Sequence, residues 1–182
     1  MRRLLLPLII LLFAAACSQP VKGKNGVTFK SAVQYNDFIV SRQTTLIKNV
    51  LDFSKAAETN MDTAESKLRD YVKQAEKMIE EIKGMPAYKG DSALRDAAIS
   101  SFTFYKKVFE KDYMDILQIK KKGVDITEED IERANSIVAK ISEEEEGFDK
   151  RFHEAQKNYA QKHNMKLTDN KMQKEINELN GN

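Results

Sequence analysis

The sequence predicts an all-α protein: an antiparallel up-down-up-down four-helix bundle with long helices, preceded by a signal peptide and a flexible tether. Three observations carry that reading. Apolar residues recur at three- and four-residue spacing through four long stretches between residues 28 and 163, the period of one helix face. Brief breaks holding Gly, Pro, Asn or Asp separate the stretches. No stretch shows the strict alternation of a half-buried strand.

The chain opens MRRLLLPLIILLFAAAC. Arg2 and Arg3 form a positive start, residues 4–13 an apolar run, and Ala14, Ala15 and Ala16 the small residues that signal peptidases accept. The run falls well short of the ~20 residues a spanning helix needs, so it reads as an export signal and stands apart from the fold. Cys17, the one cysteine of the chain, follows the alanines. Phe13-Ala14-Ala15-Ala16-Cys17 resembles a bacterial lipobox, with Ala14 where a large aliphatic residue usually stands. Lipidation of Cys17 and removal of residues 1–16 are expected. Ordinary A-x-A cleavage also fits the alanines, but it would leave a free thiol in an oxidising compartment. Acyl chains at Cys17 would hold the protein on a membrane at ~0.8 kcal/mol per buried CH₂. Ser18 after the cysteine is the residue type associated with transfer to an outer membrane.

Residues 17–27 hold Pro20, Gly23, Gly26, Lys22 and Lys24 without periodicity and read as a lipidated, flexible tether. From residue 28 to about 58, Ala32, Tyr35, Ile39, Leu46, Val50, Phe53 and Ala57 trace one helix face. Asn60 or Asp62 caps the next helix, with Glu65 three residues after Asp62 as in a capping box. That helix buries Leu68, Val72, Ala75, Ile79 and Ile82 and stops at Gly84-Met85-Pro86.

Asp91 or Ser92 caps a third helix with the stripe Leu94, Ala98, Ser101, Tyr105, Val108, Asp112, Ile116 and Ile119. Lys120 to Lys122 and Gly123 end it, cations meeting the negative end of the helix dipole. Thr127 caps the fourth, with Glu128, Glu129 and Asp130 in its first turn. Its stripe is Ile131, Ala134, Val138, Ile141, Phe148, Phe152, Ala155 and Tyr159, fading after His163. Loops this short cannot carry the chain back along helices of some 45 Å, so neighbours are expected to be antiparallel. The bundle is assigned to 28–166, and 167–182, with Met172, Ile176 and Leu179 at helical spacing, to a short helix or frayed tail.

Charge and motifs exclude more than they identify. Without Arg2 and Arg3 the 30 basic residues become 28, equal to the 28 acidic ones, whereas an electrostatic nucleic-acid binder carries a basic excess. No nucleic-acid partner is expected. A di-iron carboxylate bundle needs Glu-x-x-His on two helices. Here His153 and His163 share one helix and follow Lys150 and Ala160 by three. Both read as surface or seam residues, and no metal or cofactor is expected. Phosphate-binding glycine loops and nucleophile elbows are missing from the sequence, so no catalytic residue is assigned.

Polar residues do fall on the apolar stripes: Asn36 and Gln43 on the first, Asp112 on the third and Glu145 on the fourth. Antiparallel pairing sets Gln43 near the level of Glu145, with Tyr105 and Asp112 within two turns. Gln43, Tyr105, Asp112 and Glu145 thus form a candidate buried polar layer. It is either a ligand pocket or a hydrogen-bonded device that fixes helix register.

The stretches Ala32-Val33-Gln34-Tyr35-Asn36-Asp37-Phe38-Ile39-Val40 with Gln43, and Phe152-His153-Glu154-Ala155-Gln156-Lys157-Asn158-Tyr159-Ala160, add to the lipobox. Together they resemble a family of bacterial surface lipoproteins of uncharacterised role, named from a spirochaete and common in Bacteroidetes-type bacteria. The resemblance implies a helical envelope protein and supplies no catalytic residue. The sequence thus leads to a lipid-anchored envelope protein that meets a protein partner through its surface. A carrier binding a small or apolar ligand between its helices is the alternative.

Overall fold

Before its first helix the chain folds into a small antiparallel hairpin, β1 (Val21–Lys22) and β2 (Thr28–Phe29), pairing Val21 with Phe29 and Lys22 with Thr28. The computed structural model describes residues 20–167. Cys17, the expected export signal and the spacing of Met172, Ile176 and Leu179 lie outside them. The hairpin corrects two expectations, a flexible tether through residue 27 and a helix from residue 28. Two-residue strands are too short to show alternation. What holds them is tertiary: Phe29 is buried edge-on against Tyr35 and Phe38, with ring centroids 5.1 and 5.4 Å away.

The rest is helical. Ser31 caps α1 (Ala32–Thr59), its Oγ accepting from the Gln34 backbone N–H at 3.2 Å while Gln34 Oε1 accepts from the Lys30 N–H at 2.9 Å. One orphan donor of the first turn, the Gln34 N–H, and the Lys30 N–H just before the cap are thereby satisfied. Asn60 ends α1 and caps α2 (Met61–Lys83), its side chain accepting from the Thr63 N–H at 2.8 Å. Then follow α3 (Ala93–Lys107), a single π-helical turn (Val108–Asp112) and α4 (Tyr113–Lys121), continuous in the chain. Gly123, at φ +59°, takes the left-handed conformation that turns the chain into a short 3-10 segment. A capping box between Thr127 and Asp130 opens α5 (Glu128–Lys162).

The buried apolar residues form one cluster. α3 is central to it, packing on α1, α2 and α5, and it buries Leu94, Ala98, Ser101, Phe102, Phe104 and Tyr105. Cross-helix pairs record the directions. Arg42, Asn49 and Asp52 on α1 meet Glu81, Gln74 and Lys67 on α2. Glu76 and Glu65 on α2 meet Lys106 and Lys121, and Tyr105 and Asp115 meet Glu145 and Arg133 on α5. In each series the numbers rise along one helix as they fall along the other.

Two stripe expectations need correction. Beyond the π turn Ile116 is only half-buried, and Leu117 takes the fully buried place. The turn adds one residue between the faces that a constant 3.6-residue period would align. Ile131 and Val138, expected in the core, are 51% and 54% exposed. The inward face of the first half of α5 runs through Ile137 and Ile141, which pack on the core, and at 100° per residue Ile131 and Val138 fall to one side of it.

Candidate functional site

The polar layer gathers where α3 and the π turn face α5. Tyr105 is buried, and its Oη donates to Glu145 Oε1 at 2.7 Å. Two residues along α3, Lys107 Nζ donates to Glu144 Oε2 at 2.7 Å and lies 3.8 Å from Asp112 Oδ2. Asp112 is buried within the π turn. Phe104 and Phe148 stack beside this layer with centroids 4.8 Å apart, and Arg151 lies 4.4 Å above Phe148. Tyr105, Asp112 and Glu145 thus share one region. Gln43 is half-buried on α1 and joins none of these hydrogen bonds among the described residues. Its neighbour Arg42 turns to α2, pairing with Glu81 at 2.7 Å while its guanidinium lies over Phe38.

The electrostatics follow from burial. Desolvation, reinforced by the Glu145 and Asp149 charges, pushes the Tyr105 phenol well above its ordinary range. Burial first, then Glu145 and Asp112, raises Tyr113 to about 12. Both phenols are neutral donors at physiological pH. Asp149 lies four residues after Glu145, a spacing that places both on one helix face. Burial and the Glu145 charge raise its carboxyl, which can therefore keep a proton at a higher pH than an exposed aspartate. Sequence reasoning missed Lys107, Tyr113 and Asp149. The i, i+4 relation of Asp149 to Glu145 was the signal available for it.

A second constellation closes the other end. The His163 side chain is 7% exposed and lies against Tyr88 and Tyr159, with ring centroids 5.1 and 4.5 Å away. Its Nε2 has no hydrogen-bond partner and stands 3.9 Å from Asp91 Oδ2, itself bridged to Lys162 at 3.0 Å. Burial lowers the imidazole pKa; Asp91 opposes that, and Lys162 and Lys89 add to it. His153 is exposed, with Nδ1 2.9 Å from the Asp149 carbonyl oxygen. Tyr88 sits in a turn, where no periodicity announces a buried ring.

Among the described residues, no group of three or more His, Cys, Asp or Glu is placed to hold a metal ion. No described helix is long and apolar enough to cross a membrane. Comparisons with protein-family models, with curated proteins and with solved structures each found no match.

Proposed function

We propose that the chain is a lipid-anchored bacterial lipoprotein of the cell envelope, acting as a non-catalytic interaction or scaffold protein. The observation that carries this reading is the opening run, a basic start, a short apolar stretch and three alanines before Cys17. Ser18 favours an outer membrane, with the domain facing either the periplasm or the exterior. The helices then form an up-down-up-down four-helix bundle, supported by cross-helix pairs whose numbers rise on one helix as they fall on the next.

The polar layer supports a structural role at its centre. Tyr105 finds Glu145, and Lys107 finds Glu144 and Asp112, so these groups satisfy one another within the protein. Such a layer penalises helices that slide out of register. One observation favours a carrier instead. The part-buried Asp149 carboxyl has no hydrogen-bond partner among the described residues, and a ligand donor lying along α5 would supply one.

Metabolic labelling with palmitate tests the anchor. Wild type incorporates label, Cys17→Ser does not, and globomycin causes the precursor to accumulate. Unaltered processing under globomycin sinks the lipoprotein reading. Protease shaving of intact cells then separates an external domain, which is lost, from a periplasmic one, which survives until the envelope is opened.

A further inference from the structure

The hairpin limits how far the domain can stand from an anchor at Cys17. The three residue steps from Cys17 to Pro20 span at most about 11 Å, and from Val21 onward the chain is tied down. The Asn25 side-chain amide donates to the Glu81 carbonyl at 3.0 Å and its backbone N–H to the Gly84 carbonyl at 3.3 Å. The hairpin end of the molecule therefore sits within about one Debye length, ~10 Å at 0.1 M salt, of whatever surface holds Cys17.

That end is basic. Lys22 and Lys24 on the hairpin, Lys30 before α1 and Lys89 in the turn after α2 are exposed. None of the four is in an ion pair among the described residues, whereas Lys83 and Lys162 nearby are matched by Glu80 and Asp91. The contacts of Asn25 with Glu81 and Gly84, and of Tyr88 with Tyr35 and His163, bring these segments together. The opposite end has the reverse balance. There Lys121 and Lys122 are bound to Asp62, Glu65 and Asp130, and Lys120 donates to the Ala57 carbonyl. Asp125, Glu128 and Glu129 stand exposed beside them.

We infer that the hairpin end is a membrane-docking surface, in which Lys22, Lys24, Lys30 and Lys89 engage the anionic phosphate headgroups of the bilayer that holds Cys17. The inference rests on the lipoprotein reading for where the membrane lies. The contact orients the helices outward from the bilayer and presents the acidic end to partners. It also supplies a second membrane signal beside the acyl chains, as a polybasic patch does for other lipidated proteins.

The test uses unacylated protein, the chain from residue 17 onward with Cys17→Ser, sedimented with vesicles. Binding is expected to mixed phosphatidylcholine–phosphatidylglycerol vesicles at low salt, and not to pure phosphatidylcholine. The combined variant Lys22→Glu, Lys24→Glu, Lys30→Glu and Lys89→Glu should weaken partitioning on the order of 100-fold or more, at several-fold per lysine. The same four changed to Gln keep side chains of similar reach without charge and should weaken it too. Helix content by circular dichroism confirms that both fold. Lys55→Glu with Lys111→Glu, both exposed away from the hairpin, should leave binding unchanged. No binding to anionic vesicles, or an equal loss in that control, overturns the inference. Palmitate labelling of the native protein is scored separately. Lost vesicle binding with intact labelling removes only the docking surface, and lost labelling with intact binding removes only the anchor.

Discussion

Asn25 and Gly84 are in contact so close that a Cβ added to Gly84 would stand 2.8 Å from the Asn25 Cβ and 2.9 Å from its backbone nitrogen. Gly84 has an ordinary right-handed helical φ of −71°, so glycine is needed there for space and not for conformation. Gly84→Ala is expected to push the hairpin off the end of α2. The expected destabilisation in urea is about 1–3 kcal/mol, the usual cost of overpacking. Trypsin cleavage at Lys22 and Lys24 should accelerate as well. An unchanged cleavage rate would mean that the hairpin holds its place without this contact.

Tyr105→Phe removes the one donor that the phenol offers to Glu145 and leaves the ring in place. A hydrogen bond to a charged acceptor contributes about 1.5–3 kcal/mol, and Glu145 retains partial access to solvent. A loss of about 1–2 kcal/mol is therefore expected in urea unfolding. Glu145→Gln keeps an acceptor for Tyr105 and removes a charge beside Asp149. The Asp149 carboxyl should then titrate lower, as read by carbon NMR, because the Glu145 charge is one of the two causes that raise it. An unmoved Asp149 would separate the two carboxylates.

His163 makes stability depend on pH. The free imidazole titrates near 6.5 and the folded one below it. Between those values the unfolded chain binds more protons than the folded one, so stability rises with pH there. The contribution is complete above 6.5 and is lost as pH falls from 6.5 toward the folded value. Thermal melts at neutral and mildly acidic pH should show this drop in wild type, and His163→Phe should reduce it. A persistent drop in the variant would assign it to other groups.

The exposed stripe of α5 and the buried stripe of α2 should respond differently to truncation. Ile131→Ser and Val138→Ser each remove an exposed side chain and should change stability by no more than about 0.5 kcal/mol. Leu68→Ala empties a site of 0% exposure on α2 and should cost about 2–5 kcal/mol. Chemical denaturation of the three variants gives the comparison. A large loss at Ile131 would reveal a covering surface over that stripe.

Local chemistry by itself determined the all-α class and the helix boundaries near their caps. Thr127 before Glu128, Glu129 and Asp130, Asn60 between two stripes, and Gly123 after three lysines act within a few residues of themselves, so their effects are readable in order along the chain. The stripes of Tyr35, Ile39 and Leu46, or of Leu68, Ala75 and Ile79, follow equally directly from helical period. Tertiary structure decided the rest. Periodicity tells which residues share a face but not what lies opposite it, so Ile131 and Val138 looked like core and are exposed. A π turn resets the phase without marking the sequence, which moved burial from Ile116 to Leu117. Pairing about helix midpoints speaks to the level of Gln43 and not to its direction, on which hydrogen bonds also depend. The hairpin, the buried imidazole of His163 and its Tyr88 neighbour arise from contacts between residues tens of positions apart. Their energy comes from surfaces that exist only once the helices have met.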